Sequence, residues 1–480
     1  MRDSERAPRA AEIGLSVAFA IAWVALARPG GIDLPYYWDE ADVYVPGARW
    51  VAEHGLTVTP GVFPDDYSRG HPPLLYLLAG IAFALFGPSP AVGHLVVLPF
   101  TVLALAGTYL LGARLFGREA GAAAALLLGT TPLFLSIGNM LLPELPLTAL
   151  AVLSFLALAH GRVATAAMLG VAAVLIKETG IFAAAGVGAA ILFDAIEQKR
   201  LRASAGRIAL ATLPLGALGA FFVWQKAHAG YFVFPHHANL LADRPIELAN
   251  VVTVVPSLLL WHGRWVVIAA ALVATGVLFA RPRAGLAPRS PSRRALLAGM
   301  LVVVLGNAAF FAKMFWLERY ALPAHPLVLV AACGALFAFS WSGWRAAIPW
   351  AAVGAAALIG AASVRAPTAP DAEEQTFAYA DVIATHQAAF ATLGDEASVL
   401  TTWPMTVELR HAYLGYVARD HVAIDVQYLE AHADVSFTHA VVNSASTRRD
   451  DVVRAARARG MRRLGVHRVG VAPALEVWGR

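Results

Sequence analysis

The sequence predicts a mostly helical, polytopic membrane protein. It reads as about eleven transmembrane helices, interfacial helices in the outer loops, and a small C-terminal α/β domain outside the membrane. Three observations carry this reading. Of 480 residues, 58% are hydrophobic and 14% charged, against roughly 25% charged in soluble domains. Long apolar runs recur from residue 12 to residue 364, each near the length that crosses a bilayer as a helix. From Thr368 onward the apolar stripes shorten and charges become frequent. The expected division is therefore a membrane domain over 1–364 and an extracytoplasmic domain over 365–480.

The expected spans are 10–28, 94–113, 119–137, 145–160, 163–176, 180–196, 207–226, 264–280, 295–312, 320–340 and 346–364. Two further stretches, 73–87 and 249–262, could cross the membrane or lie along its surface. Charge decides between these options, because short cytoplasmic loops collect Lys and Arg. Basic residues occur at Arg2, Arg6 and Arg9; at Arg114 and Arg118; at Arg162; at Lys199, Arg200, Arg202 and Arg207; at Arg281, Arg283, Arg289, Arg293 and Arg294; and at Arg345. If neither ambiguous stretch crosses, all of these fall on one side, which then holds 16 of the 37 basic residues. The longer opposite loops hold nine basic and twelve acidic residues. Residues 73–87 and 249–262 are accordingly expected to be interfacial helices. The N-terminus is then cytoplasmic and the C-terminal domain external. Residues 13–27 also resemble a signal peptide ending in Ala25-Leu26-Ala27, and are expected to stay as an uncleaved anchor.

This topology places scattered polar stretches on one outer surface. They are the loop 33–72, with Trp38-Asp39-Glu40-Ala41-Asp42, Tyr44 and Tyr67-Ser68-Arg69-Gly70-His71; Pro143-Glu144; Lys177-Glu178; the loop 229–247, with Tyr231, His236, His237 and Arg244; and Lys313 through Glu318-Arg319-Tyr320. Each alone has an ordinary reading. Asp39 and Glu40 could be solvated loop acids, Glu144 an acid complementing a helix dipole, Lys177 and Glu178 a local ion pair. His236 and His237 could anchor a loop at the headgroup level. Together, two carboxylate sites and several cations suit transfer from a phosphate-linked donor. Such chemistry needs a base for the incoming hydroxyl and cations for the departing phosphate. A lipid-linked donor holds its phosphate at that depth. No glycine-rich phosphate loop stands in a strand–helix context, which disfavours a nucleotide donor.

At these residues the sequence resembles the GT-C superfamily of membrane glycosyltransferases, in the branch of protein O-mannosyltransferases and lipid A aminoarabinose transferases. The resemblance covers most of residues 10–345. It rests on Asp39-Glu40 after the first span, His71-Pro72-Pro73-Leu74, the Gly112-Ala113-Arg114-Leu115-Phe116-Gly117 turn, Glu144 opening a span, and Glu318-Arg319-Tyr320-Ala321-Leu322-Pro323. It implies an inverting transfer of a sugar from a polyprenyl-phosphate donor to a lipid, glycan or protein acceptor at the outer face of the bacterial plasma membrane. It implies catalytic roles for Asp39 as general base, with Glu40 supporting it and Glu144 as a second acid. Donor phosphate would be held by Lys177, Arg69, Arg319 and His71, and substrate contacted by Tyr44, Tyr67, His236 and His237. Family members differ in using a divalent cation; Asp39, Glu144 and His237 are the candidate ligands, and no other cofactor is expected. Two departures from the aminoarabinose branch stand out: histidine at position 71 where lysine is usual, and Glu144 where aspartate is common. The competing class is a lipid-glycan flippase or secondary transporter, which would show an internal repeat and charges deep in its spans; neither is evident.

In the C-terminal domain, strands are expected at 397–402, 438–442, 463–468 and 474–478, and helices at 405–414 and 450–459. Its arginines, from Arg448 to Arg468, read as a solvated face that could meet anionic lipid. No catalytic constellation is evident there. The net charge of +5 is mild and gives no sign of a nucleic-acid partner. Cys333 is the single cysteine, so no internal disulfide can form.

Overall fold

The computed structural model describes residues 10–27, 31–243, 248–278, 291–314, 316–338, 343–367, 374–432 and 435–480. Arg2, Arg6, Arg9, Arg244, Arg281, Arg283 and Arg289 lie outside them.

Among the described residues, each expected apolar run lies largely on helix. The first is α1 (Ala10–Ala27). A five-residue π-turn, Glu40–Tyr44, leads into α2 (Val45–Glu53), and α3 (Leu74–Phe86) follows. Then come α4 (Pro90–Phe116), α5 (Arg118–Gly129), α6 (Glu144–Ala159), α7 (Val163–Ile176) and α8 (Ile181–Glu197). They are followed by α9 (Leu213–Ala229), α10 (Pro235–Asp243), α11 (Leu248–Leu259) and α12 (Arg264–Leu278). The bundle closes with α13 (Arg293–Lys313), α14 (His325–Ala338) and α15 (Ile348–Ala362).

The chain is a multi-pass membrane protein. Among the described residues six helices are individually long and apolar enough to cross a bilayer, or seven if the bent α11–α12 pair is one span. The other apolar helices are shorter, so length and composition alone do not reproduce eleven crossings. One expected span, and the junction between the expected interfacial stretch 249–262 and the span after it, depart from straight helix for local reasons. The run 119–137 breaks at Thr130–Thr131 before Pro132, because the residue before a proline is pushed out of the helical region. The α11–α12 pair bends by 81°. At the bend His262 and Gly263 take positive φ values of 53° and 85°. A Cβ on Gly263 would also lie 2.6 Å from the Ala356 carbonyl oxygen of α15. Only glycine satisfies both the dihedral and the space.

The Gly112–Gly117 turn works by close packing. A Cβ on Gly112 would stand 2.7 Å from the Cα of Gly121, so two glycines let α4 and α5 touch along their backbones. Two ends of the bundle then differ in chemistry. At one end Arg118 pairs with Glu12 at 3.1 Å, Arg207 with Asp194 at 3.6 Å, and Arg114 reaches the Ala159 carbonyl at 3.4 Å. Arg162 precedes α7 at that same end and Lys177 follows α7 at the other, about 21 Å away at 1.5 Å per residue.

Beyond α15 the chain forms α16 (Tyr379–Phe390), a five-stranded sheet and α17 (Arg449–Ala458). The strands are β1 (Ser398–Thr401), β2 (Val422–Asp425), β3 (His439–Asn443), β4 (Arg462–His467) and β5 (Leu475–Gly479), in the order β2-β1-β3-β5-β4. β1 runs parallel to β2 and β3, whereas β5 is antiparallel to β3 and β4. The helix expected over 405–414 is shorter, with Met405–Arg410 followed by a 3-10 turn, Ala412–Leu414. One apolar core runs without a break from Ala20 in α1 to Val477 in β5. Tyr379 joins the two halves: its ring stacks on Tyr37 at 5.2 Å and its hydroxyl donates to the Ser136 carbonyl at 3.2 Å. A second, smaller core covers the other face of the sheet.

Gly263→Ala is expected to destabilise the protein by about 1–3 kcal/mol, the usual range for backbone strain. Thermal unfolding in detergent measures this, and an unchanged midpoint would remove the glycine requirement at the bend.

Candidate active site

Trp38 occupies the left-handed region, with φ 56°, a conformation that costs a non-glycine residue about 1–2 kcal/mol. Three following amides turn back to hold it: Glu40 N–H donates to the Tyr37 carbonyl, and those of Ala41 and Asp42 to the Trp38 carbonyl. The π-turn that follows is a form frequent at functional sites. Its effect is to point two adjacent acids in opposite directions.

Asp39 faces a cavity of about 240 Å³, and its side chain is 24% exposed. Glu40 faces away and does not line the cavity. It is 1% exposed and accepts from Tyr37 N at 3.2 Å and Leu141 N at 2.6 Å, with His94 Nε2 3.1 Å away. Glu40 therefore does not open onto the cavity; its contacts lie with the turn that carries Asp39, with Leu141 and with His94. Its carboxylate is engaged by one amide of its own turn, by the distant Leu141 amide and by the His94 side chain.

Arg319 lies opposite Asp39, on a 3-10 turn (Glu318–Ala321) between α13 and α14. Its guanidinium is 3% exposed and pairs with Asp39 through one Nη and with Glu374 through the other; Glu144 lies 3.7 Å from its Nε. Three carboxylates therefore surround it, and it also lines the cavity. Burial alone would raise the Asp39 carboxyl. The Arg319 guanidinium, helped by Arg69 and Lys177, overcomes this and holds it below the ordinary carboxylate range. The neighbouring Glu318 points elsewhere, to His262 at 3.2 Å and Arg264 at 3.5 Å.

Glu144, at the start of α6, is 2% exposed and accepts from Lys177 Nζ at 3.0 Å. Lys177 breaks from α7 into extended backbone, lines the cavity, and stands 4.7 Å from the Tyr320 ring centroid. Its partner is thus Glu144, 33 positions away, where a local pair with Glu178 was the ordinary reading. Glu178 instead meets His71 Nδ1 at 3.0 Å. Arg69 takes a left-handed φ of 46°, lines the cavity and pairs with Asp42 at 2.9 Å. Tyr44 and His237 also line it. Burial, then the neighbouring His71, lowers His237 to about 4, so its imidazole is neutral at pH 7. Tyr67 and His236 are outside the lining; Tyr67 contributes its carbonyl to the Tyr76 hydroxyl at 2.8 Å, and His236 is exposed.

The expected metal set of Asp39, Glu144 and His237 is not assembled. No group of three or more His, Cys, Asp or Glu that could hold a metal ion occurs among the described residues. The two acids face Arg319 and Lys177, while His237 packs against His71 and Phe234.

The cavity has two unlike walls. Asp39, Arg69, His71, Lys177 and Arg319 form the polar one; Phe222, Phe310, Phe311 and Met314 contribute to the apolar one. Glu374, Asp42 and the apolar wall were not anticipated. Glu374 ends an acidic run after Pro370 with no apolar periodicity, and nothing local marks it as a partner of a residue 55 positions earlier.

An acid–cation cavity lies at one end of the polytopic bundle, abutted by a mixed-sheet domain, and this fold is similar to those of solved membrane-bound transferases. More particularly, residues 70–224 match the family model described as dolichyl-phosphate-mannose-protein mannosyltransferase. Among solved structures, ArnT from Cupriavidus metallidurans bound to undecaprenyl phosphate aligns with a TM-score of 0.62 and 16% identity, covering 97% of each chain. Its apo state gives 0.60 at the same identity and coverage. The oligosaccharyltransferase of Archaeoglobus fulgidus aligns with a TM-score of 0.54 and 12% identity, over 90% of this chain and 69% of that one. Comparison with curated protein sequences returned no match.

Removing one member of a buried ion pair strands the other, at a cost of about 3–5 kcal/mol. Lys177→Met is therefore expected to lower the thermal midpoint sharply, and Lys177→Met with Glu144→Leu to recover much of the loss. Equal destabilisation by the single and double variants would show that the two side chains are not coupled.

Proposed function

We propose that the protein is an inverting glycosyltransferase that moves a sugar from a polyprenyl-phosphate donor to an acceptor hydroxyl on a lipid, glycan or protein. The observation that carries this reading is one cavity in which a carboxylate faces cations beside an apolar wall. A donor of this class has the same three parts: a reacting sugar, an anionic phosphate and a hydrocarbon tail. The ArnT structure supports it, since that protein holds undecaprenyl phosphate in a fold of the same extent.

In the proposed reaction the acceptor oxygen attacks the anomeric carbon from the side opposite the phosphate. Asp39 takes the hydroxyl proton as the new C–O bond forms. The old C–O bond breaks, its electron pair leaving with the phosphate. Lys177 supplies a point charge to that phosphate and Arg69 a planar guanidinium suited to two-point contact. His71 adds a polar contact from the same wall. These charges matter most as the phosphate leaves, which is where they lower the barrier. Phe222, Phe310 and Phe311 suit the first isoprene units. The cavity, about 240 Å³, holds roughly eight waters' worth of liquid, which a bound donor would displace from the reacting carbon.

The proposed setting is the outer face of the bacterial plasma membrane, with the N-terminus cytoplasmic. The separation of arginine-bearing loops from the cavity by the length of α7 supports that orientation.

Asp39→Asn is expected to insert and fold normally and to lose transfer by about 10²–10⁴-fold, the usual worth of a general base. Reconstituted protein with a polyprenyl-phosphate sugar donor and acceptor-bearing envelope extract provides the assay; ordinary turnover by the variant would end the assignment. The pH profile gives a second check. Asp39 is held below the ordinary carboxylate value of about 3.9, so it stays ionised throughout pH 5–8. Loss of rate through its protonation is expected only beneath about pH 4, and an Asp39-dependent acid limb above pH 5 would contradict the Arg319 pairing.

A further inference from the structure

Arg319 is held by acids from opposite ends of the chain. Asp39 comes from the loop after α1, Glu144 from α6, and Glu374 from the segment that leads into α16. Asp39 and Glu374 take different Nη atoms of the same guanidinium. Their exposures differ: Glu374 is 3% exposed on its side chain and Asp39 24%. Only Asp39 opens onto the cavity. The Glu374 backbone is fixed independently, since the Ser136 hydroxyl donates to its carbonyl at 2.5 Å, and the Phe377 amide donates to the Val364 carbonyl at 2.7 Å.

This arrangement answers a chemical difficulty. A carboxylate locked to a buried guanidinium is a weak base, and when it accepts a proton the guanidinium loses a counter-charge. An uncompensated charge at 3% exposure is costly. A second, permanently buried carboxylate on the same guanidinium removes both problems. It shares the cation's field while Asp39 waits, and it keeps the cation neutralised once Asp39 is protonated.

We propose that Glu374, supplied by the C-terminal half of the chain, is a positioning residue that holds Arg319 through the reaction and keeps Asp39 basic enough to take the acceptor proton. The groups facing this pair are Glu144, Asp42, Tyr320, Tyr44, Tyr76, Lys177 and Arg69, and none of them replaces Glu374: Glu144 is committed to Lys177 and lies farther from Arg319, and Asp42 is paired with Arg69. The inference rests on the transferase reading for its consequence in rate, but its electrostatic content stands apart from it.

The sign follows from like charge. Glu374 raises the proton affinity of Asp39 by repelling its negative form. In Glu374→Gln, Arg319 acts on Asp39 with less competition, so Asp39 becomes a weaker base. Two readouts on the full-length protein in nanodiscs separate the possibilities. The first needs no turnover: a hydrophobic carbodiimide modifies protonated carboxyl groups, and mass spectrometry follows Asp39 labelling against pH. The midpoint is expected to fall by about half a unit or more in Glu374→Gln, within the range that neighbouring charges produce, and Glu374→Asp to return it part of the way. The second is transfer: kcat is expected to fall about tenfold or more with KM for the donor little changed. If Glu374→Gln does not fold, Ser136→Ala, which frees the Glu374 carbonyl, is expected to move the midpoint in the same direction by less. An unmoved labelling midpoint in whichever of these variants folds would overturn the proposal. A shifted midpoint in a protein with no transfer in its wild-type form would sustain the coupling and remove the transferase reading instead.

Discussion

A single buried guanidinium organises this molecule. Arg319 is buried away from water, and carboxylates supply the counter-charge and hydrogen bonds in its place. The chain brings them from three separated places, so the cation acts as a tie between the first extramembrane loop, the start of α6 and the C-terminal half. Lys177 and Glu144 repeat the arrangement beside it. Because Glu144 is shared between Lys177 and Arg319, the two clusters form one charged network. Shape follows from that constraint. The π-turn after Trp38, the extended break at Lys177 and the 3-10 turn at Glu318 are all departures from regular helix, and each lies where a charge must be aimed at a neighbour.

Much of the scaffold was legible because a bilayer-length apolar helix needs only local information. Apolar runs at 94–113, 145–160 and 163–176 became α4, α6 and α7 with ends displaced by a few residues. The interruptions were harder. Pro132 marks its break openly, whereas the bend at Gly263 depends on the approach of Ala356, nearly a hundred positions away. In the C-terminal half, four strands were visible as short apolar runs. β2, with Val422 exposed and only Ala423 and Ile424 buried, is too short to stand out from its charged surroundings.

The site divided along the same line. Residue types and approximate placement were readable: Asp39, Arg69, His71, Lys177 and Arg319 all reach one cavity. Pairing was not. Whether Lys177 answers Glu178 or Glu144, and whether Glu40 serves the cavity or the backbone, depends on contacts spanning tens to hundreds of positions. Helical or strand periodicity carries no record of such contacts. His94 illustrates this well: it stands in an apolar helix, yet it is the cap that keeps Glu40 buried beside Tyr36.

The uninterrupted core from α1 to β5 bears on biosynthesis. A ribosome releases Asp39 early, Arg319 after two-thirds of the chain, and Glu374 later still. During that interval the guanidinium has incomplete neutralisation, and the cradle for its last acid, Ser136 and Tyr37 with Tyr379, stays open. Completion of the reaction centre therefore awaits the C-terminal segment. A nascent or truncated chain that ends before Glu374 would lack one of the three carboxylates around Arg319.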